Sequence, residues 1–276
     1  MKGSVMTIVA VAGFLLAPAQ ADTLYRGSLD PSFDHINTTT FNIDLALVPD
    51  DGIFSLAVQP GTNTLFGVTD EVGGDGLVTI DPATGAMTFV VQMLDPGDPF
   101  PYFSNITFMP DGSLYTIATP DCGWTPGAIL QVDMGTGVLT DTGLTYGGFG
   151  AQALEFNPDD GLFYHFYNDA GGGTGATFLD TVDPVTGTVT PITVSGYDLN
   201  AVNGLVYAGD GKFYAYDNTV GDLLEITTGG EVTLLYAYGV GGTFMGHGLA
   251  LETYIPEPTT LSLVALGGLV ALRRRR

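Results

Sequence analysis

Seven carboxylates fall in stretches that read as loops: Asp70, Glu71, Asp75, Asp121, Asp169, Asp217 and Asp222. Oxygen ligands of this kind suit calcium at extracellular concentrations. No loop shows the Asp-x-Asp-x-Asp-Gly spacing of a dedicated calcium loop, however, so turn and solubility roles fit these residues better. Trp124, the only tryptophan, lies in Asp121-Cys122-Gly123-Trp124 among the same loops, where it could stack on a sugar ring or pack over its own strands. His35, His165 and His247 are scattered with no metal-ligand spacing, and structural roles suit them. The chain has no Gly-x-Ser-x-Gly, no His-Glu-x-x-His and no phosphate-binding glycine loop. A pair of carboxylates working as in glycoside hydrolysis needs convergence that spacing alone does not reveal. We therefore expect no catalytic residue, no resident cofactor and no metal, with calcium the one candidate ion.

The two ends carry addresses rather than chemistry. Lys2 supplies a positive start, an apolar stretch runs from Val5 to Ala17, and Ala19-Gln20-Ala21 gives the small-x-small pattern of signal-peptidase cleavage. About 13 apolar residues are too few to span roughly 30 Å of hydrocarbon, so this segment reads as a secretory signal peptide over residues 1–21. At the other end, Pro256-Glu257-Pro258 precedes an apolar run, Leu261–Leu272, and then four arginines, Arg273, Arg274, Arg275 and Arg276. Each proline disfavours helix in the residue before it, so the motif is extended, whereas the run suits a short hydrophobic helix. The arginines would stay on the cytoplasmic side and hold the rest of the chain outside.

This tail resembles the PEP-CTERM sorting signal in the order, spacing and terminal position of its three parts. Ile255 stands where the family usually has Val. The resemblance implies recognition by an exosortase in the inner membrane, cleavage near the motif and release toward the cell surface or extracellular matrix. Such proteins occur in Gram-negative bacteria that make exopolysaccharide, and many are linked to biofilm or floc formation. The family shares its tail and little else, so the tail gives an address and no activity. The alternative is an ordinary anchor that stays in place.

Five of the seven basic residues lie in the two end pieces, so two remain against 30 acidic residues between Asp22 and Glu257, a formal charge of −28. That charge repels nucleic acid and anionic lipid, which excludes both as lasting partners and limits membrane contact to the tail. With 45% apolar residues, 16 Phe and 13 Tyr, the central region has ample material for a core. Cys122 is the only cysteine, so no internal disulfide holds it.

Across residues 22–253 a pattern recurs. Ser55–Asp70, Asn105–Thr119 and Ala153–Tyr167 each read as a short apolar strand, a Pro/Asp/Gly turn and an aromatic-containing strand, with a looser copy over Val202–Asp217. Their anchors Leu65, Leu114, Phe163 and Phe213 recur at intervals of 49, 49 and 50 residues. A second unit follows each, around Asp81-Pro82-Ala83-Thr84-Gly85, Asp133–Gly137 and Asp183–Gly187. Asp caps backbone amides, Pro presets φ and Gly takes the left-handed position that closes a hairpin. Four strands per period predict an all-β, five-bladed β-propeller of about 46 residues per blade.

Gly248–Glu252 reads as a fifth first strand, while Leu24–Ser28 and Thr39–Ala46 read as third and fourth strands, so the termini share a closing blade. The alternatives are an open β-solenoid or a two-sheet sandwich. The unit resembles the D-P-x-T-G repeats of several extracellular propeller families without matching one of them. The domain expectation is thus a signal peptide (1–21), a propeller-like repeat domain (22–253) and a sorting tail (254–276).

Short turns gather on one face of such a ring, and the longer connections, Asp70–Gly76, Thr119–Gly127, Asn168–Gly175 and Asp217–Asp222, gather on the other, the expected ligand face. The expected function is that of an exported, exosortase-processed binding module at the surface or in the matrix, associated with exopolysaccharide. A polysaccharide lyase or hydrolase and a calcium-dependent adhesin are the competing readings. Signal peptidase and exosortase are the partners expected during processing.

Overall fold

A computed structural model describes residues 23–28, 30–69, 76–94, 103–118, 127–146, 149–168, 177–239 and 248–252. The signal peptide, the sorting tail with its expected helix, Cys122, Trp124 and His247 lie outside these residues.

Each repeat folds as an antiparallel sheet in simple up-and-down order. Blade 1 holds β1 (Ile53–Val58), β2 (Leu65–Thr69), β3 (Gly76–Ile80) and β4 (Met87–Gln92). Blade 2 holds β5 (Phe103–Phe108), β6 (Leu114–Ala118), β7 (Gly127–Val132) and β8 (Leu139–Tyr146). Blade 3 holds β9 (Phe149–Asn157), β10 (Leu162–Asn168), β11 (Thr177–Val182) and β12 (Val189–Ile192). Blade 4 holds β13 (Val202–Gly209), β14 (Lys212–Asp217), β15 (Asp222–Thr227) and β16 (Val232–Ala237). The first strand of each blade packs against the first strands of its neighbours, so these strands line the axis.

Blade 5 closes the ring from both termini. Its innermost strand, β17 (Leu249–Leu251), pairs with β18 (Thr23–Ser28), which pairs with β19 (Ser32–Asn37) and then β20 (Ile43–Leu47). The five four-stranded blades and the shared closing blade match the expectation from sequence. One detail differs. Thr23–Ser28 is the second strand of its blade, not the third, and the third is Ser32–Asn37, which the sequence reading passed over. Only three residues, Leu29, Asp30 and Pro31, separate it from the strand before.

Local chemistry sets the turns. Asp81, Asp133 and Asp183 each accept the backbone N–H two residues on, at 3.0, 2.8 and 2.7 Å, and Gly85, Gly137 and Gly187 close those turns with φ of 72°, 73° and 71°. These hydrogen bonds hold all three carboxyls below the usual aspartate range, through Thr84 first at Asp81 and through backbone amides first at the other two. The connection expected to be long at Asp217–Asp222 is instead a tight turn, with Gly221 N donating to Asp217 O at 2.9 Å.

Apolar residues form five clusters, each between two neighbouring blades. No blade buries both of its faces alone, so stability comes from closing the circle. At the seam between blades 5 and 1 the backbones approach closely: a Cβ on Gly248 would sit 2.4 Å from Leu56 N, so only glycine fits there.

Candidate functional site

Equivalent positions on the five inner strands are occupied by Ala57, Thr107, Glu155, Val206 and Ala250. All five line one cavity of about 50 Å³ on the propeller axis. Four are apolar or small and one is a carboxylic acid. The remaining lining residues, among them Leu56, Val58, Phe108, Pro158, Tyr207 and Leu251, cluster toward the ends of the inner strands. The cavity therefore lies toward the face that carries the short turns.

Side chains at this level staple each inner strand to the next. Ser55 Oγ accepts Ile106 N at 2.8 Å, and Thr107 Oγ1 accepts Phe156 N at 3.2 Å. Thr107 Oγ1 also donates to Glu155 Oε2 at 2.8 Å, and Tyr207 N donates to Glu155 Oε1 at 3.1 Å. Blades 1 to 4 are thereby linked in order through side chains facing the axis. Two residues back along β5, the Asn105 amide crosses the axis and donates to Asn203 O at 3.3 Å. It forms a floor between the cavity and the opposite face, and its own Oδ1 is buried without a partner.

Among the described residues, Glu155 is the only acidic one lining the cavity. Burial pushes its carboxyl up to about 7, against the opposing pull of the hydrogen bonds from Tyr207 N and the Thr107 hydroxyl. Tyr207 has its hydroxyl engaged outside the cavity, donating to Asp159 and accepting Gly211 N at 3.0 Å. Its phenol is raised to about 12, first by burial and then by Asp159.

The other residues singled out from sequence are distributed elsewhere. Asp217 and Asp222, the two described members of the expected ligand face, are both buried. Asp217 accepts Asn200 N at 2.8 Å, Ala201 N at 3.3 Å and Thr219 N at 3.1 Å, which ties the linker into blade 4 to the end of its second strand. Asp222 accepts the Tyr197 hydroxyl. Asp70, Glu71, Asp75, Asp121, Trp124 and Asp169 lie outside the described residues, as do Ala19, Ala21, Pro256, Glu257, Pro258 and Arg273–Arg276.

His165 is fully buried in β10 with Nδ1 3.2 Å from Asp180 Oδ1, stacked against Tyr167 and close to Tyr146. His35 packs edge-on against Tyr25 and Phe33. Neither histidine lines the axial cavity. Among the described residues, no three His, Cys, Asp or Glu side chains gather to hold a metal ion, and no helix is long and apolar enough to cross a membrane.

Glu155 lies inside the Ala153–Tyr167 repeat, where sequence alone assigns it no role. The available signal was the alignment of the repeats, in which one copy carries an acid where the others carry Ala, Thr or Val.

The model of the PEP-CTERM protein-sorting motif matches residues 255–276. No curated protein matches the chain. Among solved structures, a chain of the nidogen/laminin complex is similar over 84% of this chain and 98% of its own, with 10% identity and a TM-score of 0.55. TolB from Acinetobacter baumannii is similar over 80% of this chain and 54% of its own, with 17% identity and a TM-score of 0.51. At such identities the likeness shows the propeller fold alone. The sorting motif implies a protein that is exported, processed by exosortase and carried to the outside of the cell.

Proposed function

We propose that this chain is a surface-released binding module of the extracellular matrix, built on a rigid propeller and associated with exopolysaccharide. The observation that carries the reading is the sorting motif at 255–276, which begins three residues after the last described residue of the ring, Glu252. Nothing but a short connection separates the address from the domain, so the propeller is the cargo.

The lining of the axis supports binding over catalysis. A lyase or hydrolase on this scaffold would need several acid–base groups converging on one point, typically two carboxylates flanking the scissile bond. Among the described residues, the cavity is lined by one carboxyl with Leu, Ala, Val and Phe side chains around it. The formal charge of −28 between Asp22 and Glu257 favours solubility and free diffusion through a matrix after release.

The test is the intact mass of the protein recovered from the culture fluid and the cell envelope of its host. A released species that begins at Asp22 and ends near Pro256 is the expected result. A species that keeps Arg273–Arg276 in the membrane fraction would overturn the release and make the tail a lasting anchor.

A further inference from the structure

The axial cavity sets one acidic group among apolar walls. Its walls are apolar, set by Ala57, Val206 and Ala250 at the level of the carboxyl, with Leu56 and Leu251 beside them. Its one acidic group, Glu155, receives a single hydrogen bond at each oxygen, from Thr107 Oγ1 and from Tyr207 N. A carboxylate has about four acceptor sites, and these two hydrogen bonds fill half of them. Among the described residues, no basic side chain lines the cavity to act as counter-ion to its ionised form.

The shape and charge of the site select among ligands. An anion is repelled by Glu155 and by the charge of the whole domain. Calcium takes six to eight oxygens, far more than Glu155 and Thr107 provide. A neutral apolar ligand would seal the carboxylate away from water without pairing it. A guanidinium favours a bidentate approach to two free carboxylate oxygens, and both Glu155 oxygens already hold a donor, whereas an ammonium bonds as a point donor and rides on a methylene stem that suits apolar walls.

We propose that the axial cavity binds a primary alkylammonium group, with the cation on Glu155 and its methylenes against Val206, Leu56 and Leu251. The group could belong to a lysine side chain of a partner protein or to a free aliphatic amine. The inference rests on the reading of this domain as a binding module and names the chemistry of that binding.

The experiment is a calorimetric titration of the processed protein at neutral pH and fixed ionic strength. The probes are n-butylammonium, 1-butanol as its neutral counterpart, and Nα-acetyl-lysine amide. Butylammonium is expected to bind at least about tenfold more tightly than butanol, the difference made by one charge-assisted contact in an apolar site. Glu155→Gln keeps an acceptor for Tyr207 N and can turn its amide N–H toward the Thr107 hydroxyl oxygen, and it should abolish that preference while the protein stays folded by near-UV dichroism. Val58→Phe, at the partly exposed mouth, should weaken both probes together and serves if the glutamine variant does not fold. Binding of the lysine derivative assigns the site to protein lysines, and its failure beside bound butylammonium assigns it to free amines. Equal affinity for butylammonium and butanol, or selectivity that survives Glu155→Gln, overturns the proposal. Those results leave the export reading untouched, just as a membrane-retained precursor would overturn that reading without altering the titration.

Discussion

Arg26 and Asp34 face each other across the β18–β19 pair of the closing blade, with Arg26 Nε donating to Asp34 Oδ2 at 3.0 Å and Nη2 donating to the same oxygen. Both are almost fully buried, and the guanidinium also lies over the rings of Tyr216 and Tyr238 at 4.9 and 4.8 Å. These tyrosines belong to blade 4 and the segment after it, so one ion pair pins the closing blade to its neighbour. Arg26→Met leaves Asp34 buried without its cation and should cost about 3–5 kcal/mol in urea unfolding. The double variant Arg26→Met, Asp34→Leu should recover part of that loss, and a double variant less stable than the single one would show that the pair is not the seam's organising contact.

Ring closure depends on three residues of β17 that precede the sorting tail. A chain ending at Glu252 retains that strand and should unfold as cooperatively as the longer processed form. A chain ending at residue 247 leaves the edge of β18 unpaired and removes Leu249 and Leu251 from the cluster they share with Leu24, Tyr216 and Leu223. Its unfolding should broaden and its elution on gel filtration should shift toward larger species. Identical unfolding of the two truncations would show that the shared blade is dispensable.

Glu155 gives the domain a measurable response to pH. Its pKa stands at about 7 in the folded protein, so the folded state binds more protons than the unfolded state between roughly pH 4.3 and 7. The stability linked to this group is full below the unfolded value and is lost as pH rises through the folded one. Among the described residues, Tyr207 is the other titratable group lining the cavity, and it titrates far above this window. The melting temperature should therefore fall from pH 5 to pH 8 more steeply in the native protein than in Glu155→Gln. Parallel curves would place the carboxyl in water.

The turn aspartates act on the acid side. Asp81, Asp133 and Asp183 are held below the ordinary aspartate value, so their stabilisation is complete above about pH 3.9 and fades as pH falls through the folded values. Replacing all three with asparagine keeps an acceptor for each amide and removes the titration. The triple variant should show a flatter acid limb in unfolding monitored from pH 5 to pH 2, and an unchanged limb would assign acid sensitivity to other carboxylates.

Much of the fold was legible because its determinants are local. Each Asp-x-x-Thr-Gly turn is specified within five residues by an acceptor and a left-handed glycine. The spacing of Leu65, Leu114, Phe163 and Phe213 carried the blade period, and the tail carried the address. What stayed hidden was non-local. Ser32–Asn37 escaped notice as a strand because only three residues, Leu29, Asp30 and Pro31, separate it from Thr23–Ser28. The Asp217–Asp222 connection looked long in sequence, but its ends lie opposite each other as a strand pair.

The residues themselves therefore determined that this protein is exported, acidic and built from repeated four-stranded units, since composition, turn chemistry and terminal motifs act within a few residues. Only the tertiary structure decided which of 30 acidic residues stands apart. Glu155 meets Thr107 48 residues away and Tyr207 52 residues away, because a closed ring brings equivalent positions of successive blades to one axis. That convergence depends on the curvature and closure of the whole circle, for which no short stretch of sequence holds the instruction.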